Sequence, residues 1–196
     1  MHSRIFQLKT EPLTDENRHD LLTADDFLQN SSFIGPIADY TSDDCSRHED
    51  YGWLVGHLAN AVAYSHSKSY GAIGAAWHAC HFAQKTGFQH AEYFEFHYAE
   101  DGAEMPEAYI LFKPGFKTAY FQKQYDEFVK MTGKMTPDDF ASEAYMQDLV
   151  DAVSDKFGFY VAHDAFDVKP LDNFLRSLPN DEIAKYYLWA TVDYHC

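Results

Sequence analysis

Cysteine is scarce: Cys45, Cys80 and Cys196 are three residues, far apart, in a chain of 196. An odd, widely spaced set excludes a disulfide scaffold, and without a Cys-x-x-Cys pair there is no zinc ribbon. Basic residues are few too, 15 Lys and Arg against 31 Asp and Glu, for a net charge of −16. That balance argues against a nucleic-acid groove built on a basic surface and against docking on anionic lipid. No apolar run approaches the roughly 20 residues of a membrane-spanning helix. The start, Met1-His2-Ser3-Arg4-Ile5-Phe6-Gln7, leads into no apolar signal stretch. Gly (10) and Pro (7) are scattered, so no linker divides the chain, and no fixed-period repeat marks a solenoid or propeller. Residues 1–196 are therefore expected to form a single domain, in the cytoplasm.

Hydrophobic residues make up 46% of the chain and aromatics 17%, enough for a sizeable core. Arg4 to Thr10 alternates like a strand and ends at Glu11-Pro12. Thr23-Ala24-Asp25-Asp26 reads as a helix start. Ser46-Arg47-His48-Glu49 has the capping-box pattern, followed by Trp53, Leu54, Leu58, Ala61 and Val62 at helical spacing. Residues 71–86 fit either a helix or a buried strand. From Ala91 to Ala99, Phe94, Phe96 and Tyr98 share one face while Glu95 and His97 take the other. Asp101-Gly102 is a turn signal, and 108–113 is the returning strand of a hairpin. Phe121, Tyr125, Phe128 and Val129 mark an amphipathic helix ending at Gly133. Thr136-Pro137-Asp138-Asp139 opens another, expected to run through Leu149, Val153 and Phe157 to a cap at Gly158. A short strand over 159–163, a helical face at Leu171, Phe174, Leu175 and Leu178, and an interior strand over 186–192 complete the order. The expected fold is α+β: a largely antiparallel sheet of about five strands with four or five helices.

Charge is laid down in blocks. Residues 11–50 hold 11 carboxylates against Arg18 and Arg47, and 51–91 hold none, with Lys68, Lys85 and five histidines. Six carboxylates and no Lys or Arg follow in 92–107, then five lysines against Asp126 and Glu127 in 108–137. Convergence of the acidic blocks would give one negative face, for which Asp25, Asp26, Asp43, Asp44, Glu49, Asp50, Glu100, Asp101 and Glu104 are the candidates. Tyr40, Tyr51, Tyr64 and Tyr70 lie in polar or turn-like settings, and tyrosines beside carboxylates are the usual make-up of a protein-binding surface. The partner such a face fits is a basic protein surface, including the cleft of a nucleic-acid-binding enzyme. Direct nucleic-acid binding, membrane binding and a cofactor are not expected. In size and composition the chain resembles the acidic inhibitors carried by phages and mobile elements, of the anti-restriction and anti-CRISPR kind. That likeness implies a non-enzymatic, nucleic-acid-mimicking inhibitor.

An enzymatic alternative rests on cysteine and histidine. Cys45 precedes a helix start, where the helix dipole lowers a thiol pKa. Asp44-Cys45-Ser46 resembles the Asp-Cys-Ser at the nucleophile of papain-like cell-wall peptidases, and the resemblance implies His90 or His97 as base. The following Arg47-His48-Glu49-Asp50 is charged where those enzymes carry small and apolar residues. In Trp77-His78-Ala79-Cys80-His81, a helix would put His78 and His81 on one face, as a metal site requires. The His-Glu-x-x-His pattern, a Gly-x-Ser-x-Gly elbow, a Walker loop and a Rossmann glycine pattern are all missing.

Overall fold

A computed structural model describes residues 2–28, 38–43, 47–67, 91–98, 107–153 and 158–195. The fold is α+β. Among the described residues seven strands form one mixed sheet: β1 (His2–Lys9), β2 (Tyr40–Ser42), β3 (Phe94–Tyr98), β4 (Ala108–Phe112), β5 (Tyr160–Ala162), β6 (Val168–Pro170) and β7 (Ala184–His195). The order across the sheet is β3-β4-β7-β1-β5-β6, and β2 pairs with the far end of β7. Only β1 and β5 run parallel, so the sheet is largely antiparallel, as the sequence predicts. Six α-helices are described: α1 (Ala24–Leu28), α2 (Arg47–Ser67), α3 (Phe116–Thr132), α4 (Pro137–Ala141), α5 (Glu143–Val153) and α6 (Leu171–Ser177).

Alternation assigns the two faces of the sheet. Phe6, Leu8, Phe94, Ile110, Phe112 and Leu188 point inward to meet Tyr51, Leu54, Val55 and Leu58 of α2, Phe116 and Tyr120 of α3, and Phe174 and Leu175 of α6. On the outer face, Ile5, Tyr160, Ala162, Val192 and Tyr194 pack against Ala24 and Phe27 of α1. The seam beneath α1, lined by Ile5, Gln7, Leu22, Phe27 and Val192, is too tight to admit a water molecule. The hydroxyls of Ser3 and Tyr194 both donate to the carbonyl of Gly158 and so hold the approach to β5.

The hairpin and the interior strand fall where periodicity puts them. Phe94 pairs with Phe112 and Tyr98 with Ala108, while β7 lies between β1 on one edge and β4 and β2 on the other. The turn at Asp101-Gly102, the 71–86 segment and the proposed N-cap Ser46 lie outside the described residues. One expectation needs correction. The helix opened at Thr136 does not run on to Phe157: after five residues Ser142 adopts an extended backbone, and a second helix starts at Glu143. Its start is as predicted, with Thr136 and Asp139 forming a reciprocal capping box. Two short strands, β2 and β6, were not apparent in the sequence; at three residues each they carry too little pattern to detect.

Gly115 precedes α3 with φ of +86°, a left-handed conformation that a Cβ disfavours. A Cβ there would meet the Tyr93 ring at an ordinary 3.8 Å, so backbone strain alone is at stake. Gly115→Ala should therefore destabilise the protein by about 1–2 kcal/mol in urea unfolding, without changing the m-value.

Candidate acidic interface

The outer face of the sheet carries a strap, residues 10–28, that three sheet side chains hold down. Trp189 is the extra residue of a bulge where the β1–β7 register shifts between Gln7 and Leu8, and its Nε1 donates to the carbonyl of Glu11 at 2.9 Å. Buried Gln7 donates through Nε2 to the Asp20 carbonyl at 2.8 Å and accepts from the Leu22 amide at 2.9 Å. Thr41 of β2 donates to the carbonyl of Ala24 at 3.0 Å. A glutamine buried on a sheet is costly unless both ends of its amide are matched, and here both are.

Across residues 11–28 and 38–43 the strap and its neighbour β2 carry eight carboxylates, with Arg18 the sole Lys or Arg. Glu11, Asp15, Glu16, Asp20, Asp25, Asp39 and Asp43 are exposed and Asp26 half-buried. Asp25, Asp26 and Asp43 of the predicted set meet at the start of α1, with unequal roles. Asp26 accepts from the amide and hydroxyl of Thr23, at 2.7 and 2.9 Å. Asp43 reaches across 19 positions to accept from the Ala24 amide at 2.7 Å. These two satisfy backbone donors at the helix entrance, while Asp25 projects from the helix. Glu49 and Asp50 fall in the first turn of α2, their side chains outside what the structure describes. Asp44, Glu100, Asp101 and Glu104 lie outside the described residues.

The described acids of the second block, Glu92, Glu95 and Glu107, each lie beside a basic side chain. Glu92 lies 3.1 Å from His66, Glu95 pairs with Lys113, and Glu107 lies 3.9 Å from Lys185. Lys185 also sits over the rings of Tyr109 and Tyr187, at 3.7 and 4.3 Å from their centroids. Its hydrogen bond to Tyr187, with the nearby oxygens, raises its pKa above the ordinary lysine value. Additional negative charge comes from turns outside the candidate acidic set. Register places Lys9, the end of β5 and the start of β7 at one end of the sheet, beside the turns carrying Asp164, Asp167, Asp181 and Glu182. Asp164 accepts from the amides of Phe166 and Asp167, both at 2.8 Å, and those bonds hold its carboxyl below the usual pKa. A depressed carboxylate contributes stability above its unfolded pKa of ~3.9 and loses it as pH falls through the lower folded value.

Of the alternative catalytic set, Cys45 and His90 lie outside the described residues, as do His78 and His81. His97 stacks on Tyr109 with ring centroids 5.0 Å apart, on the exposed face of β3. The first turn of α2 lies across the sheet from that ring, with the Tyr51 hydroxyl 2.8 Å from the His97 carbonyl and 2.6 Å from that of Tyr109. Tyr51 is thus a core residue, whereas Tyr40 is exposed. Among the described residues no group of three His, Cys, Asp or Glu is placed to hold a metal ion.

Sequence reasoning missed a buried polar chain between helices. The Tyr120 hydroxyl donates to Asp172 Oδ1 at 2.9 Å, and Gln124 donates to Asp172 Oδ2. Because the single tyrosine proton is committed to Asp172, the 2.7 Å contact with His57 Nε2 requires His57 to be the donor. The chain ties α2, α3 and α6 together beneath the core. No signal short of the tertiary fold connects positions 57, 120 and 172.

No protein-family model matches this chain, and no curated protein or solved structure matches it significantly.

Two substitutions separate roles within these clusters. Asp43→Ala should destabilise the fold by about 0.5–2 kcal/mol through loss of the cap, whereas Asp25→Ala should leave thermal unfolding within about 0.5 kcal/mol of the parent. Tyr120→Phe strips a bond from a buried carboxylate and should cost about 1–3 kcal/mol in the same measurement.

Proposed function

We propose that the protein is a non-enzymatic binding module of the cytoplasm that presents its acidic strap to a basic surface on another protein. The nucleic-acid-binding cleft of an enzyme is the surface that fits best. One observation carries this reading: eight carboxylates with Arg18 as the sole Lys or Arg, six of them on a strap fastened to the sheet by Trp189, Gln7 and Thr41 and two beside the neighbouring β2. Preorganised charge of one sign steers an oppositely charged partner from a distance and competes with phosphates for the same lysines and arginines. Fastening matters because a floating acidic tail would have to be ordered on binding, at an entropic cost that a fixed strap avoids. Of the carboxylates, Asp15, Glu16 and Asp25 are the strap's exposed acids for which no ion pair or side-chain hydrogen bond is seen among the described residues, so they suit recognition better than Asp26 or Asp43.

The test is binding to a panel of purified nucleic-acid-binding enzymes across a salt series, with duplex DNA as competitor. A partner should bind strongly at low salt and more weakly as the Debye length falls to ~8 Å at physiological ionic strength, and DNA should displace it. Reversal of charge at Asp15, Glu16 and Asp25 together (each to Lys) should slow association about tenfold or more while leaving the melting temperature nearly unchanged. Salt-independent binding, or no enzyme bound, would overturn the reading.

A further inference from the structure

The C-terminal half of α3 and the two helices after it make a second surface, distinct from the strap. Every fully buried residue of α3 lies in its first five positions, Phe116, Ala119 and Tyr120. Beyond them, Tyr125, Phe128 and Val129 are 62%, 41% and 46% exposed, at the i, i+3 and i+4 spacing that aligns side chains along one helix stripe. Four residues after α3 ends, α4 adds Phe140 at 66% exposure. The hairpin is nonetheless ordered. Tyr145 of α5 donates to the Met131 carbonyl at 2.8 Å, and the Thr136–Asp139 box fixes the entry to α4. An exposed apolar stripe along α3, with exposed Phe140 on the helix that follows and no core role for any of the four, marks an interaction site.

Charge selects the occupant. From Tyr125 to Val153 the chain carries seven carboxylates against Lys130 and Lys134, and α4 and α5 contain Asp138, Asp139, Glu143, Asp148 and Asp151 with no Lys or Arg. A second copy of this chain would bring the same carboxylates against themselves. An anionic lipid surface would be repelled. We propose that the stripe of Tyr125, Phe128, Val129 and Phe140 is a docking site for a basic amphipathic helix of a partner protein. The helix would lay apolar residues on the stripe and lysines or arginines against the α4–α5 carboxylates. This site stands independently of the strap, and either can fail without the other.

The probe is a synthetic Leu/Lys amphipathic helix of about 14 residues, with a Leu/Glu helix of the same pattern as control. Saturable one-to-one binding of the Leu/Lys peptide is expected, with amide shift changes centred on α3–α5, and none of the Leu/Glu peptide. Phe128→Ser with Val129→Ser should weaken binding about tenfold, the order of loss when interface anchors are truncated. The Lys triple variant at Asp15, Glu16 and Asp25 should bind the peptide as the parent does, which separates this site from the strap. Equal binding by the stripe variant, shift changes centred on the strap, binding of both peptides, or a dimer dissolved by the stripe substitutions would each overturn the proposal. The shift map uses the parent protein, so it decides the question even if the stripe variant folds poorly.

Discussion

The architecture depends on β7 having partners along both edges. Over twelve residues it pairs with β1 on one side and, at separate stretches, with β4 and β2 on the other. A central strand cannot leave its amides and carbonyls unmatched in a dry sheet, so its register dictates that of its neighbours. One departure from regularity, the bulge at Trp189, turns an indole outward where it catches the strap. The acidic surface is thus a consequence of how the central pair of strands is paired. At the far end of the same ladder, Arg4 of β1 forms an ion pair with Asp193 directly opposite, adding a charged cross-strand pair to the hydrogen bonds.

The charge blocks look alike in sequence but have different fates in the fold. The described part of the block at 92–107 lies on and beside the edge hairpin, whose register sets Glu95 near Lys113, while β7 brings Lys185 near Glu107. Over residues 11–28 and 38–43, the first block follows the strap and β2, where Arg18 is the sole Lys or Arg to offset eight carboxylates. Linear charge density therefore says less about surface potential than the strand order that decides which blocks become neighbours.

Elements with a strong period were legible from the residues alone. Phe94, Phe96 and Tyr98 alternate with Glu95 and His97, so the face of β3 could be assigned before any contact was known. The apolar run at 186–192 likewise gave β7 its interior place, though not its full length, because Lys185 and Asp193 are charged residues satisfied only by tertiary partners. At Ser142 the continuous helix pattern misled, since local propensity carries no information about the chain direction that α3 imposes on α5. The site was half legible. Asp25, Asp26 and Asp43 were identified as acids near a helix start, but their division into caps and a projecting carboxylate depends on β2 lying beside α1. Gln7 gave no sign of its importance: a polar residue inside an alternating strand is ordinary until its two bonds to the strap are seen.

The central pair of strands also bears on the order of events during synthesis. Arg4 and Asp193, facing each other across that pair, are 189 positions apart, and Ile5 finds its other neighbour only at Tyr160. As the chain leaves the ribosome, β1 emerges with both edges exposed and stays so until residues 160–162 and 187–195 follow. The β3–β4 hairpin and the helices packed on it have nearby partners and can collapse first. Until β5 and β7 arrive, the nascent chain displays an open strand to any neighbouring chain, the condition under which polypeptides associate wrongly. Vectorial synthesis thus makes β1 the part of this fold most in need of protection.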